Sequence, residues 1–231
     1  MTTSGKEDPT TRLLLACGTI GPLLFIVVLL TLGATRPGYS AWHHFGSLLS
    51  LSEWGWMQIA NFLVCGLLLL CFTVGVWRVL WPGKSATWGP ILLGLFGLSL
   101  IVSGLFSTDP ALGYPPGALS TGLSPHTLHG AIHGISGYIA FGSLAAAIFT
   151  FVPRFMGDPD WKGWWTASTI AAGILFVVFS MAMIVASDLD QAGVLQGAPI
   201  GLLQRLAIII GWSWLSLFAF RLMRRVKQAG Y

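Results

Sequence analysis

The chain has 231 residues, of which 55% are hydrophobic and only 9% charged, with a formal net charge of +4 and a mean hydropathy of +0.77. A soluble domain carries roughly 25% charged residues, so most of this surface must face lipid and a water-soluble globule is excluded. The positive residues are scattered and bunch only at the C-terminus, which argues against nucleic acid as a partner.

Residues 1–11 are polar, include Pro9, and read as a disordered tail. The first apolar run, 13–34, is too long for the hydrophobic region of a secretion signal and no small-x-small cleavage pattern follows it, so it reads as a retained helix. Further runs cover 54–79, 88–107, 128–152, 164–186 and 200–222. Each can cross a hydrocarbon core of roughly 30 Å, which takes about 20 residues. Many of the 11 Trp sit near the ends of these runs, as in the aromatic belts of membrane helices. The pattern predicts an all-α fold, a polytopic bundle of six transmembrane helices forming one domain over 12–223, with a basic tail at 224–231. Cys17, Cys65 and Cys71 all lie inside apolar runs and indicate no disulfide framework. No internal duplication is visible.

The connections alternate in character. Segments 80–87 and 153–163 are short and hold Lys84, Arg154, Asp158, Asp160 and Lys162; segments 35–53, 108–127 and 187–199 are longer, rich in Gly, Pro and Ser, with Arg36 the only basic residue clearly inside them. Lys6, Arg12, Arg78, Arg221, Arg224, Arg225 and Lys227 fall on the side of the short loops. The positive-inside rule then places both termini in the cytoplasm and the three long loops outside the cell membrane.

Polar residues inside or beside the helices gather on the long-loop side: His43, His44, His126, His129, His133, Glu53, Asp109, Asp188 and Asp190, together with Gln58, Asn61, Gln191, Gln204 and Arg205. His126, His129 and His133 are spaced i, i+3 and i+7 and so share one helix face. Pro125 suits the first helical turn, with Ser124 as its cap. His133 then lies about two turns inside the membrane, where an ionisable group needs a partner, and Asp109 at the end of the preceding helix is the natural one. Histidines four apart on a helix, here His129 and His133, can ligate a divalent metal such as zinc; with Asp109 as a third ligand and His126 as general acid or base, Asp109 and His126 would be the catalytic pair. The plainer alternative is that the imidazoles and Asp109 hydrogen-bond one another and staple two helices together. Gly130 and Gly134, and Gly94, Gly97 and Gly104 in the preceding helix, read as surfaces for close approach between these two helices. Arg205 reads as snorkelling to headgroups or pairing with Asp188 or Asp190, and the adjacent His43 and His44 as solvated. Haem is excluded, because bis-His ligation needs imidazoles on facing helices and these share one.

Several segments together resemble one family: PGYS at 37–40, SLLS at 47–50, Asn61-Phe62 with Gly66, GLFSTDP at 104–110, LHGAIH at 128–133, and LLQRLAI at 202–208 with Trp212 and Trp214. The chain is similar over nearly its whole length to the domain of unknown function 998 family of prokaryotic six-helix membrane proteins. That family commonly has Phe-Pro before the Asp position, where this chain has Phe106-Ser107-Thr108. The resemblance implies fold and topology and carries no activity.

Three functions fit these features: a metal-assisted hydrolase of a lipid or headgroup at the outer leaflet, a proton-coupled transporter or sensor using the same histidines, and an assembly protein whose outer loops bind a partner. Against transport, polar groups do not continue through the cytoplasmic half. The bilayer is the partner common to all three, and the sequence does not fix an oligomeric state.

Overall fold

The computed structural model describes residues 9–83, 85–118 and 127–229. Among them are six long α-helices and no strand: α1 Pro9–Thr35, α2 Gly55–Leu80, α3 Trp88–Leu105, α4 Leu128–Gly157, α5 Trp164–Gln191 and α6 Ile200–Ala229. All six are long and apolar enough to cross a membrane, and a helix is the spanning form that satisfies every backbone polar group within its own segment. Successive helices run in opposite directions. The two termini therefore share one end of the bundle with the short connections (the terminal end), and the three long connections share the other (the loop end).

The helix limits differ from the apolar runs where polar sequence stays helical. α1 already begins at Pro9 and stops at Thr35, ahead of Arg36-Pro37, because a residue before proline avoids the helical region. α4 continues through Pro153 to Gly157. Its last turn is held by the buried Phe155, stacked on Trp161 at 4.7 Å, and by Arg154 Nη1, which donates to the Leu80 carbonyl at 3.1 Å. Arg224, Arg225 and Lys227, read from the sequence as tail, extend α6 instead.

The helices form a closed ring in chain order, with α6 returning against α1, where Ser216 Oγ donates to the Thr19 carbonyl at 3.1 Å. In lipid, helix association rests on close packing rather than on water exclusion, so small residues mark the tight contacts. A close backbone-to-backbone approach lies between α2 and α3. A Cβ on Gly66 would come within 2.7 Å of the Gly97 carbonyl, and one on Gly97 within 3.0 Å of the Gly66 carbonyl. Gly94 and Gly104 also face α2, against Thr73 and Leu63, so these three glycines of α3 serve α2 and not α4 as their spacing suggested, whereas Gly89 makes room for Phe151 of α4. The sparsest seam of the ring is the one between α4 and α5.

The terminal-end half is filled with aromatic rings. Phe151 lies 4.8 Å from Phe218, Trp214 stacks on Phe218 at 5.3 Å, and both phenylalanines are fully buried. Arg221 covers this end by lying over Trp161 and Trp165, at 4.9 and 5.2 Å. Arg225 pairs there with Asp158. Burial works against the Asp158 carboxylate, but its hydrogen bond from Arg225 prevails and holds it below the usual carboxylate range.

Candidate functional site

The loop-end half is built differently. The connection after α1 folds back over the bundle and is anchored on α6 by Arg205, which is 5% exposed. Arg205 Nη1 donates to the carbonyls of Ala41 at 2.9 Å, Gly201 at 2.9 Å and His44 at 3.3 Å, and Nη2 donates to the Tyr39 hydroxyl. Every oxygen it reaches is uncharged. It neither snorkels nor pairs with Asp188 or Asp190; loop carbonyls replace both solvent and counter-ion. Tyr39 in turn donates to the His44 and Phe45 carbonyls, both at 3.0 Å. Burial raises its pKa in spite of the nearby Arg205, so it remains a neutral hydroxyl.

His44, expected to be solvated, is 6% exposed. Its Nδ1 accepts from the Ser40 N–H at 3.0 Å and its Nε2 sits 3.0 Å from the Leu112 carbonyl. These partners require a neutral ring with the hydrogen on Nε2, and burial lowers the pKa accordingly. His43 Nδ1 reaches the Ala198 carbonyl at 3.0 Å and its Nε2 stands 3.9 Å from Asp190. Gln204 Oε1 accepts from the Gly46 N–H at 2.6 Å. The two histidines and Arg205 thus lock three loops together. Sequence reasoning missed that role because burial in a loop has no periodicity; the one available signal was Gln204-Arg205 inside an otherwise apolar run.

Asp109 and the α4 histidines part company. Asp109 accepts from Thr127 N–H at 3.0 Å and from Thr127 Oγ1 at 2.6 Å, and Thr127 Oγ1 accepts from Gly130 N–H at 3.0 Å as the helix cap. The cap of the helix is therefore Thr127; Ser124 and Pro125 lie outside the described residues. A Cβ on Gly130 would stand 2.1 Å from an Asp109 oxygen, so that glycine makes room for the carboxylate at a helix N-terminus, where the dipole favours negative charge. His129 is exposed, edge-on to Phe106 at 5.1 Å. His133 is buried, and its Nδ1 lies 3.1 Å from the Ser103 carbonyl and 2.8 Å from the Phe106 carbonyl. His126 lies outside the described residues. Among those described, no three His, Cys, Asp or Glu side chains gather where one metal ion would need them.

What the loop-end half does contain is a cavity of about 710 Å³, within the range of small-molecule sites. It reaches from the loops to the middle of the bundle and borders the α4–α5 seam. Phe25, Phe62, Phe141, Phe176 and Trp212 line its apolar depth; Gln58, Ser103, His133, Asp109, Asp188 and Gln204 supply its polar groups. On the α4 side, Gly134 and Gly137 line it with open space where a side chain would stand. These two glycines do not bring a neighbouring helix close; they leave room.

Gln58 and Asn61 face inward, as their rarity in an apolar run suggested. Asn61 Nδ2 donates to the Phe25 carbonyl at 3.3 Å and to Gln58 Oε1 at 3.2 Å. A carbonyl can only accept, so this chain fixes both amides and turns Gln58 Nε2 away as a donor. Gln58 Nε2 and Trp212 Nε1 are buried and have no acceptor among the described residues.

A family model described as protein of unknown function (DUF998) matches residues 19–221. No curated protein matches the chain, and no solved structure does.

Proposed function

Since the chain belongs to the DUF998 family, whose function is unknown, we propose from its own geometry that it is a membrane receptor for a single amphiphile, drawn sideways from the bilayer between α4 and α5. The observation that carries this reading is the cavity of about 710 Å³ beside the sparsest helix seam, apolar at depth and polar toward the loops. A lipid has the same polarity gradient, and it reaches a lateral opening by diffusion in the membrane plane. The excess of Lys and Arg at the terminal end favours placing that end in the cytoplasm. The cavity then lies in the outer-leaflet half of the cell membrane.

Passage across the membrane is not part of the proposed activity. The ring-filled half under the cavity supports binding and release on one side. Nor does the proposal need a metal: His133 Nδ1 and Asp109 already have partners in carbonyls and in Thr127.

The test is native mass spectrometry of the protein released from lipid nanodiscs. The wild type is expected to retain one amphiphile. Gly137→Trp, which places an indole in open space, is expected to lose it while keeping the wild-type melting temperature. A wild type that carries no amphiphile, or a Gly137→Trp variant that retains it undiminished, would overturn the proposal.

A further inference from the structure

The polar atoms of the cavity define what its occupant must offer, and this inference rests on the amphiphile reading above. No Lys or Arg lines the cavity among the described residues, while Asp109 and Asp188 both do. A phosphate brought here would lose its hydration, meet carboxylates and find no cation to replace the water. The site therefore discriminates against anionic lipids, although these are the usual guests of basic pockets.

Two atoms then describe the guest positively. Gln58 is fully buried, and its amide N–H finds no acceptor although its oxygen is held by Asn61. A buried donor left unpaired is costly, and the group that relieves it best at this depth is a strong acceptor, such as the carbonyl oxygen of an ester or amide, rather than the weaker ether oxygen. His133 supplies the complementary half. Because Nδ1 faces two carbonyls, it carries the hydrogen, and in the neutral form of the ring Nε2 is then left as an acceptor. The two sites share one wall: the Phe62 ring, one helical turn beyond Gln58, meets the His133 ring edge-on at 6.0 Å. Trp212, another lining residue, also carries a buried N–H without an acceptor among the described residues.

We infer that the cavity binds an uncharged lipid bearing an ester or amide carbonyl beside a free hydroxyl, the chemistry of a diacylglycerol or a ceramide, with the carbonyl accepting from Gln58 and the hydroxyl donating to His133. The acyl chains occupy the aromatic depth and leave through the α4–α5 seam. Gln58 and His133 are specificity determinants in this account, and no bond of the lipid is broken.

The experiment is a competition in phosphatidylcholine nanodiscs, read by native mass spectrometry, among three probes. These are dioleoylglycerol, its dialkyl ether counterpart without carbonyls, and dioleoyl phosphatidate. Dioleoylglycerol is expected to exceed the ether by about tenfold, the worth of one buried hydrogen bond to a neutral donor, and to exceed phosphatidate by at least as much. Gln58→Leu is expected to erase the ester-over-ether preference while the ether still binds, which also reports that the variant is folded. Equal binding of ester and ether to the wild type would overturn the carbonyl contact without any variant. A preference for phosphatidate would overturn the uncharged headgroup. If none of the three binds but another amphiphile co-purifies, this inference fails and the receptor reading stands; if no amphiphile of any kind is retained, both fail.

Discussion

The two halves of the bundle are made of the same six helices and solve opposite problems. At the terminal end the interior is packed with rings: Phe151, Phe155, Trp161, Trp214 and Phe218 form a continuous set of ring contacts, and Arg221 caps the stack. At the loop end Gly134 and Gly137 withhold side chains, the buried N–H groups of Gln58 and Trp212 go without acceptors among the described residues, and a cavity remains. Unfilled volume forfeits dispersion contacts, so an open half is a cost that the closed half must offset. The difference assigns stability to one end and recognition to the other.

Three measurements would break or sharpen that division. The largest effect is expected from Phe218→Ala, which removes a fully buried ring from the centre of the closed half. It should destabilise the protein by about 3–5 kcal/mol in thermal or denaturant unfolding without altering lipid selectivity. A loss under 1 kcal/mol would mean that the ring stack does not carry the stability assigned to it. Next is Arg205→Met, which keeps the length but strips donors from three carbonyls and the Tyr39 hydroxyl. A cost of about 2 kcal/mol is expected, together with faster proteolysis within 39–46. Unchanged proteolysis would show that the loops are held by something other than this guanidinium. The smallest effect concerns acid. His44 has a folded pKa below its ordinary 6.5, so the neutral ring's contribution is complete above pH 6.5 and is lost as the pH falls through the folded value. Protection of the Ser40 amide against hydrogen exchange, relative to its intrinsic rate at each pH, should fall on acidification by the roughly 1 kcal/mol of one hydrogen bond. His44→Gln should flatten that dependence, whereas an equal fall in the variant would assign it to another group.

The six spans were legible because a membrane helix writes itself as an uninterrupted apolar run; their ends were misjudged by several residues where polar turns such as 187–191 stayed helical, and by two at 106–107, where α3 had already ended. The inward direction of Gln58 and Asn61 was legible for a related reason: an amide in hydrocarbon must find a partner. The roles of the glycines were not. Spacing says that a helix has a small face, but not whether a neighbour fills it, as at Gly66 and Gly97, or nothing does, as at Gly134 and Gly137. The histidine spacing drew attention to His129 and His133 as a pair, yet one is exposed and the other buried. Their difference depends on the C-terminal carbonyls of α3, which no local pattern reveals. His44 and Arg205 were misread because their partners are backbone oxygens of distant loops.

The contact between α6 and α1 has a bearing on biosynthesis. Neighbours in the ring are neighbours in the chain at every seam but this one, so the first five helices can pair as each leaves the ribosome. The last seam joins the first of the six helices to the sixth. Until translation has passed α6, the flank of α1 that receives Ser216 has only lipid, or an insertion factor, against it. The nascent bundle is thus an open arc that becomes a ring only once α6 has been made.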